Sequence, residues 1–84
     1  MFYVYVLQSL KDKYFYVGYT PDLKPRVEKH NKGLVSATKK RRPLKLVYYE
    51  ACLDKDDAIK REKYLKTSWG KRYIKNRLKN YLTG

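Results

Sequence analysis

The stretch YFYVGYTPDLKPRVEKH, Tyr14 to His30, decides how the chain folds. Its first part is dense in strong β-formers and alternates, with Phe15 and Val17 on one side and Tyr14, Tyr16 and Gly18 on the other. Its second part opens at Asp22, a residue type suited to a helix N-cap, and places Pro25 at the third helical position, where a missing N–H costs little. The spacing predicts a helix running to about Asn31 and stopping at Gly33. A strand thus feeds a helix across a short turn, and the helix carries an arginine and a histidine.

On that helix Leu23, Val27 and His30 follow one face at i, i+4 and i+7, and Arg26 lies three residues from Leu23 and four from His30. Arg26 and His30 therefore share the edge of an inward stripe. A histidine in such a stripe is by default a hydrogen-bonded core residue.

Upstream, Phe2 to Gln8 is a second alternating run, with Phe2, Val4 and Val6 opposed to Tyr3, Tyr5 and Leu7. Polar residues from Ser9 to Lys13 make it the first half of an antiparallel hairpin. One face of the hairpin suits a core. The other gathers Tyr3, Tyr5, Tyr14 and Tyr16 beside Gly18, either as tyrosines facing water or as a ligand surface that a substrate backbone approaches over the glycine. Both readings stand at this level.

Downstream, Leu34 to Pro43 is a polar connection ending in Lys39, Lys40, Arg41 and Arg42, a run that is either a solvated loop or a grip on phosphates. Leu44 to Ala51 is a third strand. Asp54 caps a helix from Lys55 to about Lys66, whose apolar positions are Ala58, Ile59 and Leu65. Glu62 falls in the middle of that stripe, and a carboxylate there requires a cation, either a salt-bridging side chain or a metal ion. Trp69-Gly70 interrupts the pattern. A last helix over Lys71 to Leu82 sets Ile74, Leu78, Tyr81 and Leu82 against Lys71, Arg72, Lys75, Arg77 and Lys79. The expected fold is α+β, a three-stranded mostly antiparallel sheet flanked by helices in the order β-β-α-β-α-α.

Eighty-four residues make one domain, 1–84, with little core to spare. A formal charge of +13 concentrates polyanions and makes nucleic acid the first candidate partner. The apolar run Phe2 to Leu7 is far short of the roughly 20 residues needed to span a bilayer, and no leader pattern precedes it, so a cytoplasmic protein without membrane attachment is expected. One cysteine, Cys52, rules out an internal disulfide and suits a small apolar role, and a single histidine permits no zinc-ligand spacing.

The triplets Tyr3-Val4-Tyr5 and Tyr16-Val17-Gly18, the run from Asp22-Leu23 through Arg26 to His30-Asn31, the strand from Pro43-Leu44 to Tyr48-Tyr49-Glu50 and the Arg61-Glu62 helix follow one another in fixed order. This set resembles the GIY-YIG nuclease domain over nearly the whole chain, in its small stand-alone bacterial form. The resemblance implies a phosphodiester hydrolase with catalytic residues Tyr5, Tyr16, Arg26, His30 and Glu62, and one divalent ion, Mg²⁺ or Mn²⁺, held by Glu62. The phenol acting as base stays open between Tyr5 and Tyr16. Tyr3 stands where the family has the first glycine, Tyr19 where many members have a polar residue, and Asn76 is a candidate for a late asparagine. The expected activity is endonucleolytic nicking of structured or single-stranded DNA in repair or recombination, with RNA also open. Gly18, Lys39, Lys40, Arg41, Arg42, Lys71, Arg72 and Lys75 are the expected nucleic-acid contacts. The other reading is a non-catalytic binding module in which tyrosines stack on bases and cations track the backbone. The sequence leaves the oligomeric state open, and a monomer is compatible with it.

Overall fold

The alternation in residues 2 to 19 becomes a hairpin. A computed structural model describes residues 1–84, with β1 (Phe2–Ser9), β2 (Phe15–Thr20), α1 (Leu23–Asn31), β3 (Leu44–Cys52), α2 (Lys55–Leu65), α3 (Ser68–Arg77) and α4 (Lys79–Thr83). β1 is central in a wholly antiparallel sheet of order β2-β1-β3. The register sets Tyr5 opposite Gly18 on one side and Tyr49 on the other. A shift between Val6 and Leu7 in the pairing with β3 marks a bulge. This is the α+β architecture expected from the sequence.

The two faces of β1 build two cores. Val4, Val6 and Val17 pack with Ala58 and Leu65 of α2 and Ile74 of α3. On the opposite face Tyr5, Leu7 and Leu44 pack with Leu23 and Val27 of α1. Each such apolar side chain contributes roughly 1.5–3 kcal/mol on leaving water. Cys52 is a free, half-buried thiol against the aliphatic cluster, as its position predicts.

The helix ends follow expectation only in part. Asp54 caps α2 as predicted, its Oδ1 accepting from the Asp56 and Asp57 amides at 2.8 and 3.1 Å. Asp22 occupies the N-cap of α1 without a side-chain cap bond. The entry is tied instead by Thr20, whose hydroxyl accepts from the Asp22 amide and donates to the Asp22 carbonyl. The exit follows expectation, with Gly33 and Leu34 amides donating back to the His30 and Lys29 carbonyls.

The final helix begins earlier than expected. Ser68, Trp69 and Gly70 form the first turn of α3, capped by Thr67, whose hydroxyl accepts from the Gly70 amide at 3.2 Å. Gly70 does not break the helix but lets it approach its neighbour. A side chain there would overlap the Tyr64 carbonyl and Leu65 Cα at the end of α2. At Leu78 the chain bends, and the expected single helix divides into α3 and α4. Tyr81 secures α4 by donating to Gln8 Oε1 at 2.7 Å. No helix is long and apolar enough to cross a membrane.

Candidate active site

Tyr5 projects from the centre of β1 toward β2 and is completely buried. The residue opposite is Gly18, and a Cβ there would collide with the Tyr5 ring and hydroxyl. The glycine therefore makes room for a tyrosine of the same molecule. The sequence reading that a ligand backbone lies over Gly18 is corrected on this point, because Tyr5 already occupies that space.

A chain of polar contacts runs from the Tyr5 hydroxyl. Arg26 Nε donates to it at 3.3 Å, and His30 Nε2 lies 2.8 Å away. His30 Nδ1 in turn lies 2.7 Å from Thr38 Oγ1. Arg26 can only donate, so the proton of a neutral, covered Tyr5 has His30 Nε2 as its acceptor. His30 then carries its proton on Nδ1 and donates it to Thr38. The Tyr16 ring packs edge-on to His30, with centroids 5.0 Å apart.

These contacts set the proton affinities. Burial pushes the Tyr5 phenol above its ordinary value; the Arg26 hydrogen bond and charge oppose the rise, and the charges of Tyr16 and Glu62 add to it. Burial, then the Arg26 charge, holds His30 down at about 4, so that it is neutral at neutral pH. The default role read from the sequence, a hydrogen-bonded core histidine, is thus fulfilled, and its partner is the conspicuous tyrosine.

Glu62 is half-buried, as its place in the apolar stripe requires. Its Oε2 pairs with Lys66 Nζ at 3.1 Å, one turn along α2, and no arginine reaches it. α2 is held to the sheet by the preceding residue. Arg61 grips Glu50 of β3 with two bonds of 2.8 and 2.9 Å, and the Tyr48 hydroxyl donates to Glu50 at 2.7 Å. Burial alone would raise the Glu50 carboxyl, but the bonds from Arg61 and Tyr48 bring it below its usual range. That clamp fixes the rotation of α2 and with it the direction of Glu62.

Tyr5, Tyr16, Arg26 and His30 are thus brought together, and the Glu62 charge acts on the Tyr5 hydroxyl from α2. Tyr3 and Tyr14 stand apart. Tyr3 pairs edge-on with Tyr49, and Tyr14 lies just before β2 and is 75 % exposed. The basic run divides: Arg41 is bound to Asp12 at 2.8 Å and to the Tyr14 carbonyl, and Arg42 donates to the Lys39 carbonyl. Lys39 and Lys40 remain exposed without an anionic partner. Lys71, Arg72 and Lys75 line a groove on α3 with Ser68 and Asn76. Thr38 escaped the sequence reading; a threonine in a polar connection carries no local signal, and only the fold brings it to His30.

No cluster of three or more His, Cys, Asp or Glu side chains exists in the protein. A zinc-type site is therefore excluded by the donor set. A lone carboxylate fits Mg²⁺, which keeps most of its waters and shares the rest of its shell with substrate phosphate.

A three-stranded antiparallel sheet carrying two tyrosines, a helical arginine and histidine, and a second-helix glutamate defines a GIY-YIG catalytic domain, and the model of that domain matches residues 1–76. The chain belongs to the GIY-YIG nuclease family, whose members act on nucleic acid and generally use divalent metal ions. Its relatives include UPF0213 proteins of Staphylococcus aureus strains Mu3 and N315, each 46% identical over 66 residues, 77% of this chain and 79% of theirs. It is also similar to the solution NMR structure of a UPF0213 protein from Bacillus halodurans, at 35% identity and a TM-score of 0.54, covering 88% of this chain and 82% of that one.

Proposed function

We propose that the protein is a metal-dependent endonuclease that hydrolyses phosphodiester bonds of DNA, nicking structured or single-stranded substrates in repair or recombination. The observation carrying this reading is the Tyr5 hydroxyl, which joins Arg26 and His30 and lies in the field of Tyr16 and Glu62. A purely structural core has no need of so costly a polar assembly in so small a domain.

Hydrolysis forms a bond from water oxygen to phosphorus, breaks the bond to a sugar oxygen, removes one proton from the water and returns one to the leaving group. Glu62 would hold Mg²⁺ or Mn²⁺, which would supply positive charge to the phosphate. Arg26 presents a planar guanidinium to non-bridging oxygens. The two phenols differ in access. Tyr5 is covered, hydrogen-bonded and raised by burial, and serves as a protonated anchor for Arg26 and His30. Tyr16 is half-exposed, lines a pocket with Lys66 and Lys71, and is the phenol assigned to the attacking water. His30 orients both rings.

The deciding experiment is cleavage of branched, single-stranded and duplex DNA, with RNA controls, in Mg²⁺, Mn²⁺ or chelator. Glu62→Ala is expected to lose activity by about 10²- to 10³-fold or more, the range for removing one charge-stabilising group, while retaining DNA binding. Equal cleavage by the variant would sink the reading, and binding without turnover in the unaltered protein would make it a binding module.

A further inference from the structure

Trp69 is the chain's single tryptophan and takes no part in either core. It stands in the first turn of α3 with 65 % of its surface exposed. The Arg72 guanidinium covers its ring at 5.1 Å. Beside it lies a groove of about 400 Å³ lined by Ser68, Lys71, Arg72, Lys75 and Asn76, without one apolar residue. From Ser68 to Arg77 the helix has four cations, Lys71, Arg72, Lys75 and Arg77, and no acid. Such a wall repels itself unless an anion enters it. Lys71 also lines the neighbouring pocket that contains Tyr16 and Lys66, so the groove borders the exposed side of one candidate site residue.

An exposed indole beside a guanidinium offers a flat surface for another ring, and the adjoining ammonium groups offer charge for phosphates. Only one polymer supplies flat rings and phosphates in alternation. In a duplex the ring faces are hidden in the stack, whereas an unpaired base leaves its face free. We propose that the α3 groove binds single-stranded DNA, with Trp69 stacking on one unpaired base and Arg72, Lys71 and Lys75 holding the neighbouring phosphates. The proposal deepens the nuclease reading by naming the form of DNA that site receives, and it rests on that reading for the choice of DNA.

The test uses the full chain in chelator, so that binding is read without cleavage. Titration with oligo-dT, following tryptophan fluorescence, is expected to give saturable quenching, since Trp69 is the only tryptophan. A blunt duplex of equal length is expected to quench far less. By anisotropy of labelled oligo-dT, Trp69→Ala is expected to weaken binding by about ten- to a hundredfold, the worth of one stacked base. Trp69→Phe recovers most of it, and duplex affinity stays unchanged in both variants. Arg72→Gln flattens the dependence of affinity on salt. Binding without quenching, equal quenching by duplex, or equal loss on both substrates overturns the proposal, as does failure to bind oligo-dT at all. Thermal melts of the variants, expected to match the parent because residue 69 is exposed, separate lost contact from lost fold. Cleavage assays on the unaltered protein in Mg²⁺ keep the two readings distinct: quenching by an unaltered protein that never cuts preserves the groove and removes the nuclease, whereas cleavage without quenching removes the groove and preserves the nuclease.

Discussion

The two faces of β1 are built from the same alternation and end as opposites. Toward α2 and α3 it offers Val4 and Val6 to a cluster of buried aliphatic side chains. Toward α1 it offers Tyr5 to a chain of hydrogen bonds through His30 to Thr38, with Leu7 and Leu44 as its apolar floor. The buried side chains of the aliphatic cluster have no proton to gain or lose. The polar face depends on protons held at Tyr5 and His30.

The largest test of this contrast is Leu65→Ala, which empties a fully buried position on the aliphatic face. A loss of about 2–5 kcal/mol is expected, a large share of the 5–15 kcal/mol typical of whole domains. Chemical denaturation should show that loss to be the same at pH 5 and pH 8.

The polar face should respond to acid instead. His30 binds a proton below about 6.5 in the unfolded chain but only below about 4 in the folded one. Between those values the unfolded state holds the extra proton, so this contribution is complete above 6.5 and fades as pH falls toward 4. The expected decline is on the order of 2–3 kcal/mol. A His30→Gln variant, melted across the same range, should lack that part of the acid sensitivity; an unchanged profile would place the sensitivity elsewhere.

Thr38→Val keeps the shape and deletes the hydroxyl, leaving the His30 Nδ1 proton without an acceptor. A cost of about 1–3 kcal/mol is expected, with a shift in the pH–rate profile of cleavage, and Thr38→Ser should restore both. Valine and serine behaving alike would show that only volume matters. The smallest effect is expected at Lys13, in the β1–β2 turn with φ 67. Glycine removes the steric cost of that conformation, so Lys13→Gly should raise the melting temperature through up to about 1 kcal/mol without changing the pH response of either face.

Much of this molecule is legible in the chain because the signals are local. Alternation gave both hairpin strands, Gly33 ended α1, Asp54 capped α2, and Glu62 stood out as a carboxylate in an apolar stripe. What escaped depends on contacts between distant residues. Gly18 has its reason in Tyr5 on the next strand, Arg41 is held by Asp12 on the opposite turn, and Thr38 meets His30 across a connection with no periodic pattern. Gly70 misled because a glycine at a predicted helix boundary resembles a breaker, whereas the fold uses its small size where α2 and α3 touch.

That touching point also sets a measure. Glu62 lies near the end of α2 and Trp69 near the start of α3, and the close seating of Gly70 on the Tyr64 carbonyl and Leu65 Cα leaves no slack between them. Two helices locked so tightly form a ruler. A strand held at Trp69 would be cut a constant number of nucleotides from the stacked base, whatever its sequence, and Gly70→Ala, by wedging the helices apart, would blur or displace the position of the nick.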